Sequence, residues 1–219
     1  MRRTINLFIA VLALFVTESC SGFDKYYYTS AKIKVPKVYE YTDKEDSRRT
    51  QYWRILLDQD EMITDAYNAS YVRFESFTEK IDDGGTILIK YLNFDDEGVE
   101  LSHKINKKDV FKWNENGPYE YSTEFEDNEG QMVFFTKSRE YIEEKNINAL
   151  GQDFKALMYK GTYKFGLVGG GVEYEYYQHS YYVKGIGMVK YERYLPDGKV
   201  SVLELTKIYT DEEWKEKVK

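Results

Sequence analysis

Two histidines, one cysteine, many carboxylates and 22 tyrosines are the groups in this sequence that could do chemistry. Imidazole is the usual general base and metal ligand near neutral pH, and His103 and His179 are the only two. His103 lies in VELSHKIN, where Val99, Leu101, His103 and Ile105 alternate onto one side. His179 lies in the tyrosine-rich stretch YEYYQHSYY. Neither has a second His two or four residues away, and there is no HExxH. A zinc site would need both imidazoles from distant strands together with a carboxylate. There is no GxSxG either. Ser102 adjoins His103 and Ser180 adjoins His179, and neighbours along a strand point to opposite faces. Asp58-Gln59-Asp60-Glu61 and Asp95-Asp96-Glu97 cluster carboxylates without the twelve-residue loop and terminal Glu of a calcium site. Gly169-Gly170-Gly171 and Gly185-Ile186-Gly187 lack the following helix of a phosphate cradle. These residues call for no catalytic set, no metal and no cofactor.

The tyrosines are the more informative group. They gather at Tyr26–Tyr28, Tyr174/Tyr176/Tyr177, Tyr181/Tyr182 and Tyr191/Tyr194. If 174–182 is one strand, Tyr177, His179 and Tyr181 share a face, while Tyr174, Tyr176, Gln178 and Tyr182 share the other. A Tyr ring offers an apolar body and a polar tip. An exposed row could stack on sugar rings or cover a lipid-like ligand. Alternatively the rings pair across strands and fill half-buried sheet faces.

The elements that position these groups read as strands, because the apolar period is two. Trp53, Ile55 and Leu57 alternate in QYWRILLD, and Tyr119, Tyr121, Thr123 and Phe125 alternate in YEYSTEF. TILIKYLNF, QMVFFTKS, DFKALMYK, GTYKFGLV and VSVLELTKI continue the pattern in residue types that suit a pleated surface. Gly-containing acidic turns separate the runs: 82–85, 95–98, 114–117, 127–130 and 196–199. The reading is a β-meander of nine to eleven strands. Ser138–Leu150 is highly charged and reads as a short helical turn or an extended loop. At the C-terminus Thr210 with Glu213 makes a capping box. A short helix over 211–217 is predicted, anchored by Trp214. The net charge of −7, from 31 Lys plus Arg against 38 Asp plus Glu, opposes nucleic-acid binding.

The N-terminus supplies an address. Arg2 and Arg3 precede an unbroken apolar run from Leu7 to Val16, the layout of a secretory signal. That run is too short to cross a bilayer core of about 30 Å. The single Cys of the chain, Cys20, stands where the signal ends, with Ser21 and Gly22 behind it. The segment resembles a bacterial lipoprotein signal, whose Cys is acylated and becomes the first mature residue. It departs from the usual pattern in having Thr17 and Glu18 where Leu and a small residue are common. The resemblance implies a signal peptide at 1–19, a tether at 20–30 and a single β-rich domain at 31–219. Cys20 would be the lipid-attachment residue and the membrane the first partner. The location implied is the bacterial cell envelope, outside the cytoplasm.

Residues 181–192, YYVKGIGMVKYE, carry a second resemblance through Tyr182, Gly185, Gly187, Val189, Lys190 and Glu192. Followed by the PDGK turn and VSVLELTKI, this stretch is similar to the C-terminal signature of envelope lipoproteins of unassigned function related to the LolA-like half-barrel. That likeness implies an open, strongly curved antiparallel sheet with a short helix. A closed β-barrel or a β-sandwich would show the same alternation. On residues alone, Gly185 and Gly187 leave one strand face bare, which permits sharp bending or the close approach of another element. The function expected is non-enzymatic: an anchored protein binding an apolar or amphipathic ligand, or a protein partner, on a sheet face. A glycan-binding module using Tyr and Trp platforms is the second reading, and a hydrolase of unrecognised type the third.

Overall fold

The computed structural model describes residues 22–28, 34–95, 98–101, 103–113, 117–127 and 129–219. The signal segment 1–19, Cys20 and Ser102 lie outside the described residues. The period-two pattern produces thirteen strands: β1 Lys37–Asp43, β2 Gln51–Asp58, β3 Glu61–Tyr67, β4 Arg73–Asp82, β5 Gly85–Phe94, β6 Glu100–Leu101, β7 His103–Lys112, β8 Tyr119–Glu126, β9 Met132–Ala149, β10 Gln152–Leu167, β11 Tyr174–Val183, β12 Gly187–Tyr194 and β13 Val200–Thr210. A single helix follows, α1 Asp211–Lys217.

All strand pairings are antiparallel, and twelve strands form a closed ring; the two-residue β6 pairs on the outer edge of β5. Ring closure comes from β1 against β13, with Val38 opposite Tyr209 and Asp43 opposite Leu203. This corrects the open half-barrel expected from sequence. A meander leaves its first and last strands with unpaired N–H and C=O groups, and pairing them removes both edges. Alternation along each strand is identical in the open and closed forms, so the pattern could not separate them.

Ser138–Leu150 forms neither a helical turn nor a loop. It is the second half of β9, paired with β10 as far as Ala149 opposite Gln152. β8 pairs with β9 only as far as Tyr119 opposite Arg139, β11 pairs with β10 only as far as Val183 opposite Ala156, and beyond these the hairpin continues as a two-stranded arm. Its tip is Leu150-Gly151, with φ of 49° and 74°, the left-handed pair that suits a twisted hairpin. Ile147 and Phe154 of the arm pack back onto the main core.

Helix α1 has the predicted bounds and its capping box, Thr210 with Glu213. Seven residues are too few for an independent helix. Trp214, 5% exposed, holds it against the outer wall, its ring 5.1 Å from Tyr52 and 5.4 Å from Tyr67.

The other surprise is at the N-terminal end. Residues 22–28 lie within the segment expected to be a tether, yet they enter the barrel. Phe23–Tyr26 make one 3-10 turn, and Tyr27 and Tyr28 are each 4% exposed. The Tyr27 ring packs 4.5 Å from Phe111. The Tyr28 hydroxyl bonds to Tyr41 at 2.7 Å, and Tyr41 donates to the Met188 carbonyl. The Gly185 N–H donates to the Lys25 carbonyl at 2.8 Å. Gly187, at φ 101°, faces the Tyr28 ring so closely that a Cβ would overlap it. The glycine pair thus admits this plug, the close approach that its spacing allowed.

Gly187→Ala is therefore expected to destabilise the barrel by about 2–3 kcal/mol, from a side chain at positive φ and an overpacked contact. Urea unfolding checks this; an unchanged midpoint would mean that the plug does not depend on the bare backbone at 187.

Candidate functional site

A ring of twelve strands encloses more space than ordinary side chains fill. Large aromatics occupy much of it. At the plug end Tyr39, Tyr41, Phe111, Tyr159, Tyr182 and Tyr191 join Tyr27 and Tyr28. At the other end Leu88, Tyr91, Val110, Phe135 and Tyr163 form a second cluster with Tyr121, Phe165 and Tyr176. Between and beside them remains a cavity of about 260 Å³. Its walls are largely aromatic, and five charged side chains open onto it: Glu75, Glu79, Lys137, Arg139 and Arg193.

Strand register explains why these charges face inward. Glu75, Phe77 and Glu79 alternate along β4 opposite Ala66, Thr64 and Met62 of β3. Phe135, Lys137 and Arg139 alternate along β9 opposite Thr123, Tyr121 and Tyr119 of β8. Arg193 lies opposite Gln178 on β11 and Ser201 on β13. None of the five stands out in the sequence, because charged residues on an alternating strand normally mark the solvent face. The available signal was their phase: each shares a face with Phe77, Phe135 or Tyr191.

Hydrogen bonds tie down most of the set. Glu79 accepts from the Tyr27 hydroxyl at 2.9 Å on both oxygens and from the Thr86 hydroxyl. Glu75 accepts from the Tyr91 hydroxyl at 2.5 Å. Arg139 donates to the Val110 carbonyl at 3.1 Å and lies over the Phe111 ring. Arg193 donates Nε to Gln178 at 3.0 Å, and the Gln178 amide is oriented by donating to Ser180. Lys137 contacts only rings, 4.8 Å from the Tyr163 centroid and 5.8 Å from Tyr121, with no hydrogen bond or ion pair among the described residues. Burial pushes the carboxyls of Glu75 and Glu79 above the usual carboxylate range, against their hydroxyl donors. Burial first, and then the Arg139 charge, hold the Lys137 ammonium well below the usual lysine range.

Of the residues singled out from sequence, Tyr27, Tyr28, Tyr176, Gln178 and Tyr182 line the cavity, and the histidines fall elsewhere. The His103 Nε2 accepts the Asn93 backbone N–H at 2.8 Å, at the seam of β5 with β6 and β7. Its ring is wedged between Tyr91 and Phe125, and burial lowers its pKa to about 4. His179 lies on the outer face, with Nδ1 4.0 Å from Glu192, beyond hydrogen-bond reach. Ser180 points inward to Gln178, away from His179. The two histidines are on separate parts of the wall and do not meet. Tyr177, 37% exposed, stacks face to face on Tyr194 with centroids 4.4 Å apart and an interplanar angle of 9°. Those two rings cover one another instead of lying in a common plane. Tyr181 and Tyr182 are buried. No group of three or more His, Cys, Asp or Glu among the described residues is arranged to hold a metal.

Glu79 makes a test of this interior. Tyr27, Thr86, Arg139 and Lys137 act on it from the plug, β5 and β9. Its carboxyl keeps its proton to higher pH in the folded state than in the unfolded chain. The stability it contributes is therefore complete below the ordinary carboxylate value of 4.5 and is lost as pH rises. A Glu79→Gln variant escapes that loss. Its melting temperature relative to wild type should be lowest below pH 4.5 and climb towards neutrality; a pH-independent offset would contradict the assignment.

Comparison with known proteins places the fold and nothing finer. No protein-family profile matches the sequence, and no curated protein is significantly similar to it. Two solved structures share its architecture at a TM-score of 0.55 each. One is a candidate lipoprotein from Parabacteroides distasonis ATCC 8503, 12% identical, matched over 80% of this chain and 95% of that one. The other is a candidate exported protein with a YmcC-like fold from Bacteroides fragilis NCTC 9343, 11% identical, matched over 81% and 96%. Neither of the two is described as LolA-like, and what this chain has in common with them is the fold.

Proposed function

We propose that this chain is a lipid-anchored protein of the bacterial cell envelope, outside the cytoplasm, whose barrel interior holds a small amphipathic molecule. The observation that carries the reading is the cavity itself, about 260 Å³, aromatic on most sides and polar where Glu75, Lys137 and Arg193 reach it. Ligand sites are concave, mostly apolar and furnished with a few placed polar groups. The volume lies just under the roughly 300–1,000 Å³ of drug-sized sites, so the molecule is small.

The address rests on the signal-like N-terminus and on Cys20, and the fold shared with a candidate lipoprotein and a candidate exported protein supports it. The role is binding rather than chemistry. In support, the His103 Nε2 is engaged by the backbone and His179 lacks a bonded carboxylate. The glycan-platform reading has weaker support, because Tyr177 and Tyr194 mask each other's faces.

Expression in a lipoprotein-competent bacterium tests both halves. Intact mass should show acyl chains on Cys20, and Cys20→Ala should lose that mass and leave the detergent phase. Native mass spectrometry of the barrel should show a small co-purifying molecule, absent after Val110→Phe fills the cavity. An unmodified Cys20 would remove the anchor, and an empty wild-type barrel would remove the ligand.

A further inference from the structure

The interior charges do not balance. The cavity is lined by three cations, Lys137, Arg139 and Arg193, against two carboxylates, Glu75 and Glu79. Both carboxylates are already served by hydroxyl donors. Arg139 is turned to a backbone carbonyl at the plug end. Arg193 uses only Nε, on Gln178, and its two terminal nitrogens have no hydrogen bond among the described residues. Lys137 makes no hydrogen bond or ion pair among the described residues, lies against the Tyr163 and Tyr121 rings, and meets Glu75 and Glu79 only as charges across the cavity. Lys137 and Arg193 are half-buried, so the N–H groups they leave unused face the cavity instead of being sealed in the wall. Unused donors at the wall of a cavity are open to an acceptor that enters it.

We infer that the cavity binds a small organic monoanion, a carboxylate on a compact apolar body, with the carboxylate set against Lys137 and Arg193 and the body against the aromatic wall. This rests on the ligand-holding reading above and names the ligand's class. A guanidinium and an ammonium together match a carboxylate in charge and donor number. A dianion such as a phosphate monoester fits less well, because Glu75 and Glu79 share the same cavity and repel a second negative charge. A cation would meet three like charges. The volume admits a body of about one ring or a short alkyl chain.

Three probes of one size and shape separate these possibilities: phenylacetate, phenylacetamide and 2-phenylethylamine, carrying negative, zero and positive charge. They are titrated calorimetrically into the full-length protein in detergent, beside Lys137→Met and Lys137→Arg variants whose fold is checked by circular dichroism. Phenylacetate should bind at least tenfold more tightly than phenylacetamide, and the amine should not bind. Lys137→Met should lose at least tenfold for phenylacetate and leave the amide unchanged, while Lys137→Arg restores part of the loss. Equal binding of acid and amide by wild type overturns the anion assignment and leaves the ligand-holding cavity intact. So does a Lys137→Met variant that binds phenylacetate as wild type does. Binding of none of the three overturns both. The comparison among probes on wild type decides the matter even if a Lys137 variant fails to fold.

Discussion

The pairing of β1 with β13 is the constraint on which the rest of the molecule depends. It joins the two ends of the strand meander, leaves the ring without an open edge, and fixes the circumference at twelve strands. That circumference sets the interior problem. Eight strands make a lumen that side chains just fill, and twelve make a wider one. Aliphatic residues of ordinary reach would leave a void, and lost contacts across a void are costly. The chain answers with rings. Tyr39, Tyr41, Tyr159 and Tyr191 are among its largest fully buried side chains, and each meets another ring in the interior. The abundance of tyrosine in the composition is, in large part, a consequence of ring size.

Tyrosine also brings a hydroxyl, and the interior uses it. Tyr27 and Tyr91 donate to Glu79 and Glu75, so two buried carboxylates are bonded without an ion pair. Tyr28 and Tyr41 link the plug to the backbone of β12. A polar network in a low-dielectric interior is stable only when its members are satisfied. Here the bonded members face Lys137, which is half-buried and makes no hydrogen bond among the described residues. The placing of acidic and basic side chains around an aromatic wall distinguishes this cavity from a packing defect.

Much of the fold was legible locally and little of it globally. Strand alternation, the turns at 82–85 and 196–199 and the Thr210–Glu213 cap with Trp214 are encoded within a few residues of each other, and all appear in the structure. Closure is not local, because β1 and β13 come from opposite ends of the described chain. The arm was hidden because its turn begins with Leu150, a side chain that seldom takes a positive φ. The plug was hidden because Tyr26–Tyr28 follow directly on a signal-like segment and lack a strand pattern of their own. The interior charges were hidden for a deeper reason: alternation tells which residues share a face, and a closed surface decides which face is dry. Gly185 and Gly187 were the exception, since a bare strand face announces a neighbour without naming it.

The plug also determines how the molecule bears load. Tyr27 and Tyr28 are seated before the chain reaches β1 at Lys37. A pull on the chain upstream of Gly22 is borne first by ring contacts with Phe111 and Tyr39 and by the bonds to Glu79 and Tyr41. The wall strands are spared until those contacts yield. The barrel therefore has a built-in fuse at its N-terminal end, whose rupture would unseal one mouth of the lumen and leave the twelve-stranded ring closed.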